Sequence, residues 1–300
     1  MLTCSEKPLL KSNFMPYASW IPDFHALKAQ LDFAIAEDLG DGDHSALSSI
    51  PVNHRGKAQL ILKEPGIFAG GALAKHLFKY IDSTATATQL IEDGSLTKEG
   101  TVAMIVEGNT IKLLQSERLV LNYLQRLSGI ATRTYSYASL IAHTSCTVLD
   151  TRKTTPGLRV LEKWAVALGG GGNHRMGLYD MIMLKDNHID FAGGISEAVG
   201  RTKTYLKNKD RSLAIEVETR NLEEVKAAIQ AGVDRIMLDN FSVSETKEAV
   251  KYIAGRTEVE SSGGITRDTL VPYAECGVDF VSVGALTHHI KGLDMSLKAL

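Results

Sequence analysis

Five residues form a cationic set in a chain that is otherwise close to electroneutral: Arg152, Lys153, His174, Arg175 and Lys185. Arginine forks take carboxylates and phosphates bidentately, and lysine adds a mobile point charge. Singly, each reads as a solvated side chain; together they point to a strongly anionic ligand. His174 has the chemistry of a general acid–base, but in this company it reads as a ligand-binding residue. Glu218 and Asp239 are the counterpart. Each ends an apolar run, where a lone carboxylate is costly to desolvate unless a cation compensates. Two hard oxygen donors beside phosphates suit Mg²⁺, which keeps several waters and takes few carboxylates. The alternative is a structural network with Lys153 and Lys185. Ser262-Gly263-Gly264 and Val283-Gly284-Ala285 are glycine turns of the kind that let backbone N–H groups approach a phosphate. A helix is expected to start near Thr266, just after the first of them. Gly169-Gly170-Gly171-Gly172 reads as a flexible loop, either a mobile lid or a long connection. Glu117-Arg118 is a charged pair in phase with an apolar helical stripe, either a structural ion pair or part of a site.

Something must carry these residues to one place. Short aliphatic runs recur at Cys146–Leu149, Met181–Leu184, Leu213–Val217, Arg235–Leu238, Thr257–Glu260 and Asp279–Val283. Helical patterns lie between most of them, at Leu222–Ala231, Ser244–Ile253 and Arg267–Cys276. Alternating strands and helices predict a parallel sheet with right-handed crossovers. The last three strand spacings are about 22 residues, right for one β/α unit of a barrel. Six strands are legible, short of the eight that close such a barrel. Each delivers polar, charged or glycine residues at its C-terminal end, the rim where β/α barrels carry their active sites.

The first half reads differently. Asp23 is placed to cap a helix with Phe24, Leu27, Leu31, Ile35 and Leu39 on its apolar stripe and Gly40 at its end. Strands at Ala58–Leu62 and Val102–Val106 flank a helix over Ala72–Tyr80, a small α+β unit. A long helix follows from Ile111 to about His143, with a possible break at Gly129. Residues 1–22 read as an irregular lead-in, 23–129 as the first domain and 130–287 as the barrel.

Composition limits the alternatives. The 300 residues carry 33 Lys and Arg against 35 Asp and Glu, a net charge of −2, which gives no sign of bulk nucleic-acid binding. With 44% apolar residues and this length, the chain can bury a full core, excluding a disordered chain or a disulfide-held miniprotein. Three cysteines, Cys4, Cys146 and Cys276, fit a reducing compartment. No signal peptide and no apolar run of membrane-spanning length is legible, so a cytoplasmic enzyme is expected.

The blocks Asp150-Thr151-Arg152-Lys153-Thr154-Thr155-Pro156-Gly157-Leu158-Arg159, Asn173-His174-Arg175 and Leu184-Lys185-Asp186-Asn187-His188 resemble those of the quinolinate phosphoribosyltransferases. The resemblance continues through Glu117-Arg118, Glu216-Val217-Glu218, Leu238-Asp239-Asn240, Ser261-Ser262-Gly263-Gly264-Ile265 and Val283-Gly284-Ala285-Leu286-Thr287-His288. It covers the chain from about residue 25 to the C-terminus. It implies an N-terminal α/β sandwich domain joined to an incomplete α/β barrel, the type II phosphoribosyltransferase fold, with residues 288–300 returning to the first domain. It implies transfer of phosphoribose from 5-phosphoribosyl-1-pyrophosphate to quinolinate with loss of CO₂, giving nicotinate mononucleotide and pyrophosphate for NAD synthesis. By the same resemblance, Arg118, Arg152, His174 and Arg175 hold the quinolinate carboxylates, with Arg118 entering from the other subunit of a homodimer. Lys153, beside Thr154, and Lys185 bridge the two substrates. Glu218 and Asp239 meet the ribose hydroxyls and Mg²⁺, with no organic cofactor. Ser262, Gly263, Gly264, Val283, Gly284 and Ala285 hold the 5-phosphate. Competing expectations are a related transferase for another aromatic acid, a non-catalytic anion-binding barrel, and a Schiff-base aldolase built on Lys185.

Overall fold

The computed structural model describes residues 20–300. The expected lead-in lies outside the described residues up to position 19, as does Cys4. Asp23 makes a turn rather than capping a helix directly. Its carboxylate accepts the His25 N–H at 2.9 Å and its carbonyl accepts the Ala26 N–H at 3.1 Å. The helix proper is Lys28–Leu39, and it stops at Gly40, whose φ of 49° is one that glycine adopts without a Cβ penalty. Strands β1 (Arg55–Leu62), β2 (Gly66–Ile67), β3 (Thr86–Gln89), β4 (Leu96–Thr97) and β5 (Val102–Asn109) follow, with helix Gly71–Ile81 between β2 and β3. The alternation in β1 turns Ala58, Leu60 and Leu62 inward. The same helix buries Leu73, Ala74, Leu77 and Phe78 along one face.

A single 29-residue helix, Thr110–Ala138, then runs to the second half of the molecule, through the 129/130 boundary. Asn109 caps it by accepting the Lys112 N–H at 3.2 Å. The break expected at Gly129 is absent. Glycine is needed there for a close crossing, since a Cβ would lie 2.3 Å from the Lys291 carbonyl oxygen.

Strands β6 (Thr147–Leu149), β7 (Ile182–Leu184), β8 (Ile215–Thr219), β9 (Arg235–Asp239), β10 (Glu258–Ser262) and β11 (Phe280–Ser282) form one parallel sheet in the order β6-β11-β10-β9-β8-β7. These are the six runs legible in the sequence, and with β6 and β7 as edges they make an incomplete barrel. β12 (Met295–Ala299) leaves this half and pairs antiparallel with β1, from Ala58 opposite Ala299 to Leu62 opposite Met295. The N-terminal sheet is therefore β12-β1-β5-β3.

The glycine run is not a flexible loop. Gly169, Gly171 and Gly172 are buried, and Gly172 bridges to Leu149 at the edge of the sheet. A Cβ on Gly169 would fall 2.4 Å from the Ala131 carbonyl, and one on Gly171 would fall 2.7 Å from the Thr134 methyl. The glycines let the chain turn directly under the long helix, which aims Asn173-His174-Arg175 back into the barrel.

Candidate active site

The C-terminal ends of β6 to β11 surround a cavity of about 730 Å³. Its walls include Arg152, Lys153, His174, Arg175 and Lys185, with Glu218 and Asp239, and with Ser262, Gly263, Gly264, Gly284 and Ala285. Residues from both edge strands reach it, Thr151 after β6 and Met183 on β7, so the open sheet curls around the site.

The loop carrying Arg152 and Lys153 is tied down by residues that sequence reading passed over. Arg126, on the long helix, donates to Glu162 at 2.8 Å and to the Thr155 hydroxyl at 2.7 Å, and Glu162 accepts the Thr155 N–H at 3.1 Å. Thr287 donates to the Lys153 carbonyl at 2.8 Å. Thr154, expected at the substrate, instead accepts from Arg159 Nε at 3.0 Å and does not line the cavity. Its neighbour Thr151 does.

Asp150 ends β6 but does not face the cavity. It is fully buried against the equally buried Lys163 ammonium, and it also accepts from Asn173 Nδ2 at 2.6 Å and from the His174 N–H at 2.8 Å. Burial pushes the Asp150 carboxyl up and the Lys163 ammonium down, and their mutual attraction opposes both shifts. Lys163 also donates to the His174 carbonyl at 2.8 Å. This pair fixes the backbone from which His174 and Arg175 project.

His174 reaches the cavity wall, but its ring nitrogens are turned to protein. Nδ1 accepts the Arg175 N–H at 2.7 Å, which assigns the ring proton to Nε2. Nε2 lies 3.0 Å from Glu216 and 3.5 Å from Glu260. Burial, and then the charge of Glu216, push the Glu260 carboxyl up. Arg175 donates to the Met181 carbonyl at 3.3 Å. Burial and then the charge of Arg152 push its guanidinium down, and an anion beside it would offset that cost.

Lys185 caps the short helix Asp186–Ala192 and donates from Nζ to Glu218 at 2.6 Å. Its side chain is 48% exposed and ion-paired, which is not the desolvated setting that activates a Schiff-base lysine. Asp239 ends β9 and accepts from Asn240 Nδ2 at 2.7 Å; the network expected between Asp239 and Lys153 is not formed. Glu218 and Asp239 are therefore carboxylate donors on adjacent strands facing one cavity, a donor set that fits Mg²⁺ with water and phosphate oxygens completing its shell.

The first glycine turn is built as expected, but without a helix start at Thr266. Thr266–Thr269 is a turn closed by the Thr266 N–H on Thr269 Oγ1 at 2.9 Å, and the helix is only Leu270–Ala274. Any anion here meets turn backbone rather than a helix end. Gly263 has φ of 101°, and a Cβ on it would fall 2.2 Å from Asn240 Oδ1. Asn240 itself takes a left-handed φ of 56°. In the second turn, Val283 is a core residue whose N–H bonds to Leu149; Ser282, Gly284 and Ala285 line the cavity in its place. His288 lines it too, its pKa pushed down by burial and by His289, Lys153 and Arg133. Met183, Met237 and Ile265 add apolar wall. The inward register of Met183 on β7 and Met237 on β9 was available in the sequence, although apolar strand residues are usually core. Arg118 is not brought to the cavity; it is exposed on the Thr110–Ala138 helix.

Comparison with known proteins agrees with this architecture. The family model of the quinolinate phosphoribosyl transferase N-terminal domain matches residues 43–128, and that of the C-terminal domain matches 130–298. The chain is 45% identical over 288 residues to the Arabidopsis thaliana protein named chloroplastic nicotinate-nucleotide pyrophosphorylase [carboxylating], covering 91% of this chain and 82% of that one. It is 43% identical, at the same coverage, to a Nicotiana tabacum protein named quinolinate phosphoribosyltransferase [decarboxylating] 1b. The crystal structure of NadC from Streptococcus pyogenes superposes with a TM-score of 0.89 at 37% identity, covering 94% of this chain and all of that one. By sequence along both halves and by fold, the chain belongs to the quinolinate phosphoribosyltransferase family.

Proposed function

We propose that the protein transfers the phosphoribosyl group of 5-phosphoribosyl-1-pyrophosphate to quinolinate, with decarboxylation, giving nicotinate mononucleotide, pyrophosphate and CO₂. The observation that carries this reading is the cavity itself: four cationic side chains, Arg152, Lys153, Arg175 and Lys185, line it together with Glu218 and Asp239, and two glycine turns edge it. A dicarboxylate answers the paired arginines, and a phosphorylated sugar answers the glycine turns and carboxylates. Met183, Met237 and Ile265 supply apolar surface for an aromatic ring.

The chemistry follows from charge placement. Arg152 and Arg175 orient quinolinate through its carboxylates so that the ring nitrogen faces the ribose. Departure of pyrophosphate leaves an oxocarbenium-like carbon, and Glu218 and Asp239 stabilise that positive charge while holding the ribose hydroxyls. Lys153 and Lys185 meet the negative charge of the leaving pyrophosphate. Glu218 and Asp239 would also hold Mg²⁺, which neutralises pyrophosphate charge when bound. Once the ring nitrogen is cationic, the C2–carboxylate bond breaks, its electron pair stays at C2 beside that nitrogen, and C2 takes a proton.

The exposed Arg118 supports a homodimer in which each subunit's Arg118 completes its neighbour's quinolinate pocket. Sparse cysteines support a reducing compartment such as the cytoplasm. Among the described residues no helix is long and apolar enough to cross a membrane.

The test is incubation with Mg²⁺, 5-phosphoribosyl-1-pyrophosphate and ring-labelled quinolinate, with nicotinate in parallel. Labelled nicotinate mononucleotide from quinolinate alone is expected, and its loss on adding EDTA. Product from nicotinate but not quinolinate would assign the site to a different acceptor.

A further inference from the structure

Glu216 is completely buried, yet neither of its carboxylate oxygens has an aligned hydrogen bond; one oxygen of Glu260 beside it is in the same state, and so is His174 Nε2, which meets them as a close ion pair rather than an aligned hydrogen bond. A carboxylate in that setting is costly unless charge around it compensates. Neither residue is needed for the barrel core, where an aliphatic side chain would pack at lower cost. Both converge on His174 Nε2, at 3.0 Å and 3.5 Å. On the other side of that ring, Nδ1 takes the backbone N–H of Arg175.

We propose that Glu216 and Glu260 are positioning residues for quinolinate: they hold the His174 ring, and through it the Arg175 backbone, so that the Arg175 guanidinium stays aimed into the cavity. The His174-Arg175 segment is then clamped twice. The Asp150–Lys163 pair holds its backbone from one side, through the His174 N–H and carbonyl. The two carboxylates hold its imidazole from the other. An arginine must keep its fork within a few tenths of an ångström to grip a carboxylate bidentately, and such precision comes from the residues behind it.

The three ligand atoms of His174, Glu216 and Glu260 lie within 4.8 Å of one another, a spacing that would also suit a divalent cation. The charge around them favours the clamp. Arg235 Nη1 already lies 3.2 Å from Glu260, and its other nitrogens meet Glu258. Arg175 adds a second guanidinium within the field of Glu216. A cluster supplied with two arginines has little need of a metal ion.

The inference rests on quinolinate being the acceptor, so wild-type turnover is measured first. The variants are Glu216→Leu, Glu216→Gln and Glu260→Gln, each with its thermal midpoint recorded. Removing one partner from a buried charge cluster is destabilising, so Glu216→Leu is expected to lower the midpoint and is assayed well below it. Its KM for quinolinate should rise about tenfold, with kcat changed less and the KM for 5-phosphoribosyl-1-pyrophosphate within about twofold. Glu216→Gln retains an acceptor for Nε2 and should lie between Leu and wild type. In an Arg175→Ala background, Glu216→Leu or Glu260→Gln should add less than about twofold to the quinolinate KM, because the residue they act through is gone. Unchanged quinolinate KM in folded variants overturns the inference alone. So do equal rises for both substrates, effects that add fully to Arg175→Ala, or a stoichiometric divalent ion lost with Glu216. No wild-type turnover of quinolinate removes the functional reading and the inference together.

Discussion

Arg152 and Arg175 both line the cavity, and burial and then the charge of Arg152 push the Arg175 guanidinium down, a setting that favours an anion beside it. Truncating Arg152 to alanine is therefore expected to raise the quinolinate KM by about 10- to 100-fold, the value of one or two charged hydrogen bonds, with little change in fold stability. Steady-state kinetics with each substrate varied in turn checks this. Lys163 is the opposite case. It touches no substrate, but it neutralises Asp150 where water cannot reach either. Lys163→Ala leaves that carboxylate buried without its cation and should cost about 3–5 kcal/mol of stability, read from urea unfolding midpoints. The cationic set, Glu218 and Asp239 were legible in the sequence because charge at the end of an apolar strand is conspicuous. Lys163 was not, since a lysine in a helical segment reads as solvated surface until the packing of Arg159–Leu168 buries it on every side. Thr154 and Val283, expected at the substrate from the resemblance, do not line the cavity, whereas Thr151 and Ser282 do.

Glycine does two different jobs in the elements that build the site. At Gly263 the backbone needs φ of 101° and has Asn240 packed against it, so Gly263→Ala combines a strained dihedral with a collision. It is expected to lower affinity for 5-phosphoribosyl-1-pyrophosphate at least about tenfold, at a folding cost of about 1–3 kcal/mol. Isothermal titration with that substrate, alongside a melting curve, separates the two effects. At Gly129 the dihedral is ordinary and the constraint is the neighbour, the Lys291 carbonyl. Gly129→Ala should push residues 290–292 off the long helix and lower the melting temperature without touching the catalytic rim. The six barrel strands followed from the β/α rhythm, whereas in the first half only β1 and β5 were legible and the short β2, β3 and β4 were not. Gly129 and Gly169–Gly172 were misread as a break and a flexible loop, because glycine needed for close approach and glycine needed for freedom look alike in sequence.

Across the whole molecule, the long helix links the two sheets. It supplies Arg126 to the Arg152–Lys153 loop, receives the crossing at Lys291, and presents Arg118 outward. If Arg118 completes a neighbouring subunit's pocket, Arg118→Ala and Glu218→Ala proteins, each inactive alone, should regain activity when unfolded and refolded together. Random pairing makes half the dimers mixed, each with one intact site, so about a quarter of wild-type activity is expected. No recovery from correctly refolded dimers would confine each site to one chain.

Sequence by itself determined the six barrel strands and the three helices between the last four of them, the rim to which charge is delivered, and the anionic character of what binds there. These follow from local periodicity and from the cost of burying a charge, both properties of residues and their near neighbours. The return of the chain's end to the first domain was expected from the family resemblance; tertiary structure decided that β12 pairs with β1 there, and that Asp150 turns from the site to Lys163. It also decided that His174 Nδ1 accepts the Arg175 N–H while Nε2 faces the Glu216–Glu260 pair. Each depends on groups far apart in the chain meeting at one distance and one angle, and no spacing along the chain encodes that meeting.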